Sequence, residues 1–342
     1  MPLHFLLEAM IGLVPVLLFL FVLLQLDSYK LVSLREVLEC LGAGIVLAGA
    51  SYFTNTQAIG LLHYSFSTYA RFVAPFAEEL LKAAFIIFLF ARNRIGFMID
   101  AAIMGFAVGA GFSLTENFYY LDVFPGANLG VWLVRGFGTA IMHGGATAIF
   151  GVMAQGLTER RATINPIMLL PGLAIAVALH GLYNYFQSTP IVAAAVMVLV
   201  LPLILLGVFA KSAHKVHDWL LTDYASHEHL LEEIRSGAFE HSEAGRFIQD
   251  LSNKFDADSV ADLFAYMRLH TELAIRADKV SLGRETGERI AGGHEIHEAF
   301  RRLHALEKKI GPAAMMTLWP HLNFSRRELW ELSELEGEVR HA

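Results

Sequence analysis

Charge is scarce in this chain and cysteine nearly absent. Only 17% of its 342 residues are Asp, Glu, Lys or Arg, while 55% are hydrophobic. Soluble domains carry about 25% charged residues, so the composition excludes an ordinary soluble domain and points to a multi-span membrane protein. The single cysteine, Cys40, excludes an internal disulfide. Basic residues are outnumbered, 26 against 33 acidic, for a net charge of −7, so neither nucleic acid nor anionic lipid is an expected partner through net charge. No Lys or Arg precedes the first apolar run and no small-residue cleavage site follows it, so that run reads as a retained span.

The few charges are unevenly placed. The first 211 residues hold 10 basic and 10 acidic residues, and residues 212–342 hold 16 and 23. The expected organisation is a membrane domain over 1–211 and an acidic, helical, cytoplasmic tail domain over 212–342. The expected fold class is all-α, a polytopic bundle of about seven spans with a C-terminal helical soluble domain. The spans are drawn at Phe5–Leu24, Val37–Phe53, Phe72–Phe90, Ile99–Tyr119, Val131–Ala154, Ile167–Phe186 and Ile191–Ala210. Lys30 and Arg35, Arg92 and Arg94, Arg160 and Arg161, and Lys211 and Lys215 fall in alternate connections. Thr54–Tyr69, Asp122–Gly130 and 188–190 have no basic residue. The pattern predicts the N-terminus outside and the tail in the cytoplasm. Thr54–Ala70 reads as a long, semi-apolar outer connection. The tail shows helical spacing over Ser259–Lys279, a Gly-containing break near Gly283–Gly293, and further helices around 294–310 and 325–335. It holds 11 of the 15 histidines, without ligand spacing, and these read as scattered on solvated helices. No metal or nucleotide motif is found there, and a cytoplasmic partner is its expected role.

What is present in the membrane part is a set of polar residues where apolar ones belong. Phe72–Phe90 is apolar except for Glu78, Glu79 and Lys82. A carboxylate at the centre of a span costs about 2.5–3.5 kcal/mol even on lenient scales, and such groups face protein or water and mark function. Helical spacing lets Lys82 reach either glutamate. The fourth span carries Glu116 and Asn117, the fifth Arg135 and His143, the sixth His180 and Asn184. At about 1.5 Å per residue, Glu78 lies roughly 10 Å below the outer surface, Glu116 about 5 Å, His180 about 9 Å and His143 about 17 Å. Four helices thus place polar groups in the outer half of the membrane.

Three carboxylates cannot all be neutralised by Lys82, and crowded carboxylates divide into a protonated and a charged member, as acid–base catalysis requires. A glutamate that activates water, with His and Asn as oxyanion donors, suits amide hydrolysis. A Glu and His set also suits zinc, with Glu79, Glu116, His143 and His180 as candidate ligands, although there is no HExxH and no metal is required by the sequence. Intramembrane Glu and His equally mark ion or proton-coupled transporters, and a buried ion-pair network in a non-catalytic scaffold is the structural alternative.

Glu78-Glu79-x-x-Lys82, Phe112-x-x-x-Glu116-Asn117, His143 and His180-x-x-x-Asn184 follow in order on successive spans. This series resembles the PrsW family of intramembrane proteases and, more widely, the CAAX-prenyl-endopeptidase-like superfamily. The resemblance covers about Phe72–Phe186 and implies a bacterial plasma-membrane endopeptidase that cuts a membrane-protein substrate, for example an anti-sigma factor. It implies Glu78 as the base that activates water, His180 and Asn184 as oxyanion donors, and Glu79, Glu116 and His143 as further catalytic residues. Lys82, Asn117 and Arg135 would orient them. Here Glu116 stands where the wider superfamily has His. PrsW-like enzymes are classed as metallopeptidases, which leaves zinc open.

Overall fold

The computed structural model describes residues 3–27, 31–158, 165–186, 189–236, 246, 257–286, 293–311, 315 and 326–341. Every regular element among them is helical. Lys30, Arg160, Arg161 and Ser188 lie outside the described residues. The chain divides into two compact units, Met1–Thr158 with Ile164–Ala213, and His214–Ala342 with Glu159–Thr163.

Seven long helices build the first unit, the last of them only as far as Ala213: α1 (Leu3–Leu26), α2 (Leu34–Leu62), α3 (Ala74–Ala91), α4 (Met98–Val123), α5 (Ala140–Thr158), α6 (Leu170–Tyr185) and α7 (Pro190–Ser236). Six stretches among the described residues are long and apolar enough to cross a membrane. The exception is α3, whose 18 residues include Glu78, Glu79 and Lys82. The chain is an integral membrane helix bundle. Its hub is α4, buried without a break from Ile99 to Ser113. A helix that is apolar on every side belongs inside other helices, and α4 packs between α2 and α5. Two glycines permit this. A Cβ on Gly109 would sit 2.2 Å from the His143 carbonyl oxygen, and one on Gly111 would sit 2.0 Å from that of Leu41. The peripheral α7 exposes Leu199 and Leu203, and α1 exposes Leu18 and Phe21; these are lipid-facing positions in a bilayer.

The structure departs from the sequence expectation between Thr54 and Ala70. The helix α2 does not stop at Phe53 but runs to Leu62, ending at His63 in the left-handed region, φ 52°. The polar run that reads as a loop is satisfied within its own helix. Thr54 Oγ1 donates to the Ser51 carbonyl at 3.1 Å and Thr56 Oγ1 to that of Tyr52 at 2.7 Å. A short turn, Phe66–Thr68, and a π-helical segment, Tyr69–Val73, then lead directly into α3. A second π segment, Val134–Thr139, follows the turn Leu129–Leu133 and leads into α5. Similarly, α7 does not end near Ala210; no glycine or proline follows Gly207 until Gly237, and the helix continues to Ser236.

In the second unit α8 (Ala257–Thr286), α9 (Gly293–Ile310) and α10 (Arg326–His341) share a core of Leu263, Met267, Ile296, Phe300, Leu303, Leu332 and Leu335. The expected break near Gly283–Gly293 falls largely on 287–292, outside the described residues. Two histidines depart from the solvated reading. His227 is 8% exposed and His270 2%. His227 Nδ1 lies 2.8 Å from Asp278 and Nε2 3.4 Å from Glu328; His270 Nδ1 lies 3.7 Å from the same Glu328 oxygen.

Burial alone would depress the His227 imidazolium, but its bonds to Asp278 and Glu328 prevail and raise its pKa to about 10. Burial, aided by the His227 charge, lowers His270 to about 3. The two act in opposite directions on stability. His227 contributes stability that is complete below its ordinary value of 6.5 and is lost as pH rises through about 10. His270 takes up a proton on unfolding below 6.5, so stability falls as pH drops from 6.5 toward about 3. The tail unit is expected to be most stable near pH 6.5, with each limb on the order of a few kcal/mol. Unfolding scans of the full chain across pH check this. His227→Ala should flatten the alkaline limb and His270→Ala the acid limb.

Candidate functional site

Four helices deliver the membrane-embedded polar residues to one place. On α3, Glu79 and Lys82 are one helical turn apart and form a fully buried ion pair, Oε1 to Nζ 2.5 Å. Lys82 also donates to His143 Nδ1 at 3.0 Å and lies 4.6 Å above the Phe112 ring. A lysine ammonium has only hydrogens to offer, so His143 Nδ1 accepts and the imidazole proton sits on Nε2. That proton points to Glu116 Oε2 on α4, 3.1 Å away. On α6, His180 Nδ1 lies 2.9 Å from Glu79 Oε1. A carboxylate only accepts, so Nδ1 carries a proton, and in the neutral imidazole Nε2 is the free acceptor. Nε2 faces Glu78 Oε2 at 3.9 Å. The two imidazole rings stand edge to face, centroids 4.7 Å apart.

The rest of the expected set supports this centre from its outer side. Arg135, on the second π segment, reaches Glu116 Oε1 at 3.3 Å and donates through Nε to Asn117 Oδ1 at 2.8 Å. It lies 3.9 Å over the Tyr120 ring. Asn117 in turn donates to the Gly12 carbonyl of α1 at 2.7 Å. Asn184 contacts the backbone. Its amide donates to the Ala70 carbonyl at 2.9 Å, which ties α6 to the first π segment. The side chains differ in access: Glu79 and Lys82 are sealed, Glu78 is 14% exposed and Glu116 30%. The site opens through its two outer carboxylates.

The metal candidates also rearrange. Glu78, His143 and His180 each offer one ligand atom, and these atoms lie within 4.8 Å of one another. Glu79 and Glu116 are not members of that group. The reason is geometric: adjacent residues on a helix point about 100° apart, and Glu79 turns inward to Lys82 and His180 Nδ1 while Glu78 faces Nε2. The donor set suits a divalent metal. It comprises two imidazoles and a carboxylate from three helices, and one histidine is held on its far nitrogen by a second carboxylate, as ligating histidines commonly are.

Two residues at the site were not anticipated. Asn55 of α2 donates to Glu78 Oε1 at 3.1 Å, and Tyr69 of the first π segment donates to Asn55 Oδ1 at 2.8 Å. The only sequence signal was a polar residue one helical turn beyond Ser51, masked by the loop-like run around it.

No curated protein and no solved structure matches the chain. A family model, PrsW family intramembrane metalloprotease, matches residues 33–208. The match takes in just over half the chain and every side chain of the polar centre, and the chain belongs to the PrsW family of intramembrane metalloproteases.

Proposed function

We propose that this member of the family hydrolyses a peptide bond in the outer half of a membrane-protein substrate's span, with Glu78, His143 and His180 as metal ligands. The observation that carries the reading is the convergence of those three donors beside the Glu79–His180 bond. Zinc held there would supply Lewis acidity and a water acidified to near neutrality. The ligand role replaces the base role expected for Glu78. To offer Nε2 as a ligand atom, His143 would give that proton to Glu116, 3.1 Å away, and take one at Nδ1 from Lys82, 3.0 Å away, so that the imidazole stays neutral.

Glu116 is assigned as the proton carrier. It is not among the donors and has one oxygen toward His143 and the other toward Arg135. It takes the attacking water's proton as the C–O bond forms and returns it to the amine nitrogen as the C–N bond breaks. Arg135 and Asn117 hold that carboxylate at the mouth of the site. Glu79 holds His180, and Lys82 neutralises Glu79. Asn184 is assigned as a positioning residue rather than an oxyanion donor, because it grips the backbone leading into α3. The core of α4 from Ala101 to Ala110 has no polar side chain, which supports a closed hydrolytic pocket over a transport path. The basic connections favour an N-terminus outside and a cytoplasmic tail, and the family resemblance favours a bacterial plasma membrane.

The test is reconstitution with a panel of single-span proteins and mapping of the products by mass spectrometry. The expected result is one cut in the outer half of a span, abolished by phenanthroline and restored by zinc. Undiminished cleavage by protein stripped of metal would overturn the ligand assignment. Cuts confined to the cytoplasmic half would overturn the orientation.

A further inference from the structure

We propose that Asn55 and Tyr69 are positioning residues that pin one oxygen of Glu78 and so aim the other at the two imidazoles. The inference rests on the reading of Glu78 as a metal ligand.

The argument is a closed account of one amide. Asn55 has two N–H hydrogens and one carbonyl oxygen. One hydrogen goes to Glu78 Oε1 at 3.1 Å, the other to Ser51 Oγ at 3.1 Å, and Oδ1 accepts from the Tyr69 hydroxyl at 2.8 Å. Every capacity that fixes its orientation is used. The flipped amide would set Oδ1 against the Glu78 carboxylate, oxygen to oxygen, and turn the NH2 to Tyr69. The acceptor-only Glu78 carboxylate decides that Asn55 turns its NH2 toward it, and the Tyr69 hydroxyl, by donating to Oδ1, holds the amide in that place. Tyr69 is held firmly enough for this: it is 2% exposed and opens the π segment Tyr69–Val73, whose Ala70 carbonyl is gripped by Asn184 from α6. π segments inside helices recur at functional sites, and this one delivers a phenol from the entry of α3 to the end of α2. With Oε1 taken, Oε2 is the oxygen left facing His180 Nε2, at 3.9 Å.

Groups that orient a ligand typically contribute 10–100-fold to metal affinity. The experiment measures zinc affinity of the purified full-length chain by competition with a chromophoric chelator. Asn55→Ala is expected to weaken zinc about tenfold or more, and Tyr69→Phe several-fold. The double variant should be no weaker than Asn55→Ala, because Tyr69 acts through Asn55. Asn55→Asp should be the worst of the set, since it places a carboxylate against Glu78. The unfolding midpoint of Tyr69→Phe should match the parent.

Parental affinity in Asn55→Ala, alongside loss of zinc in Glu78→Gln, would overturn the inference and leave the ligand reading standing. Multiplicative single effects would overturn the coupling. Should Asn55→Ala fail to fold, Tyr69→Phe decides, since it removes one buried oxygen, and parental affinity there is equally fatal. Parental zinc affinity in Glu78→Gln, or a parent chain that takes up no zinc, would instead overturn the ligand reading on which the inference rests.

Discussion

Glu78→Gln is expected to lower substrate cleavage by roughly three orders of magnitude while leaving the bundle folded. The loss follows from what the carboxylate does and the amide cannot. An anion with two equivalent oxygens can accept from Asn55 on one and serve as a donor atom on the other, whereas a neutral amide has one acceptor and turns hydrogens toward the imidazoles. Removing a group that acts on developing charge in a dry site costs about 10²–10³-fold for a single hydrogen-bond donor, and a metal ligand is a larger loss. Stability should hold or rise, because Glu78 is a partly buried anion close to two other carboxylates. His180→Ala is expected to fall to a similar residual rate. The double variant should be little worse than either single one, since residues that act as a unit are non-additive. Glu39→Gln, at an exposed position near the start of α2, is the control and should cleave normally. Cleavage assays, zinc titration and unfolding scans on the same preparations separate chemistry from folding. Normal cleavage by both Glu78→Gln and His180→Ala would remove the site.

The polar cluster was legible where burial is costly. Glu78, Glu79, Lys82, Glu116, His143 and His180 are expensive in apolar helices, and that expense is visible in a string of letters. The Glu79–Lys82 spacing gave a contact within one helix. Three other things needed the third dimension. Lys82 reaches Glu78 and Glu79 equally well by spacing, and only the histidines of α5 and α6 decide which carboxylate turns inward. Asn55 sits in a polar run whose hydroxyls bond back to their own helix, so polarity there signalled a loop that does not exist. The π segments at Tyr69–Val73 and Val134–Thr139 have no hydrophobic period by which they could be read, yet they set the phase at which α3 and α5 present their side chains. In the tail, His227 and His270 are 43 residues apart in the chain, and their common partner, Glu328, lies on a third helix. No spacing rule links them.

Lys82→Met is expected to destabilise the membrane unit by about 3–5 kcal/mol, the cost of leaving a buried charge without its partner. Lys82 is wholly buried and Glu79 is 2% exposed, so water cannot replace the lost ammonium. The double variant Glu79→Gln/Lys82→Met removes both charges and should recover most of that loss, because a neutral pair of similar volume leaves no uncompensated charge buried. Cleavage should not recover with it. Glu79 also accepts from His180 Nδ1, and Lys82 also fixes His143 through Nδ1; a glutamine and a methionine leave both imidazoles free to change tautomer and to rotate. Zinc affinity should therefore fall by about 10–100-fold in the double variant even where its unfolding midpoint approaches the parent's. A pair that served only to set helix register would behave otherwise: stability and cleavage would return together. The separation of the two readouts is what distinguishes a pair kept for the histidines from one kept for the fold.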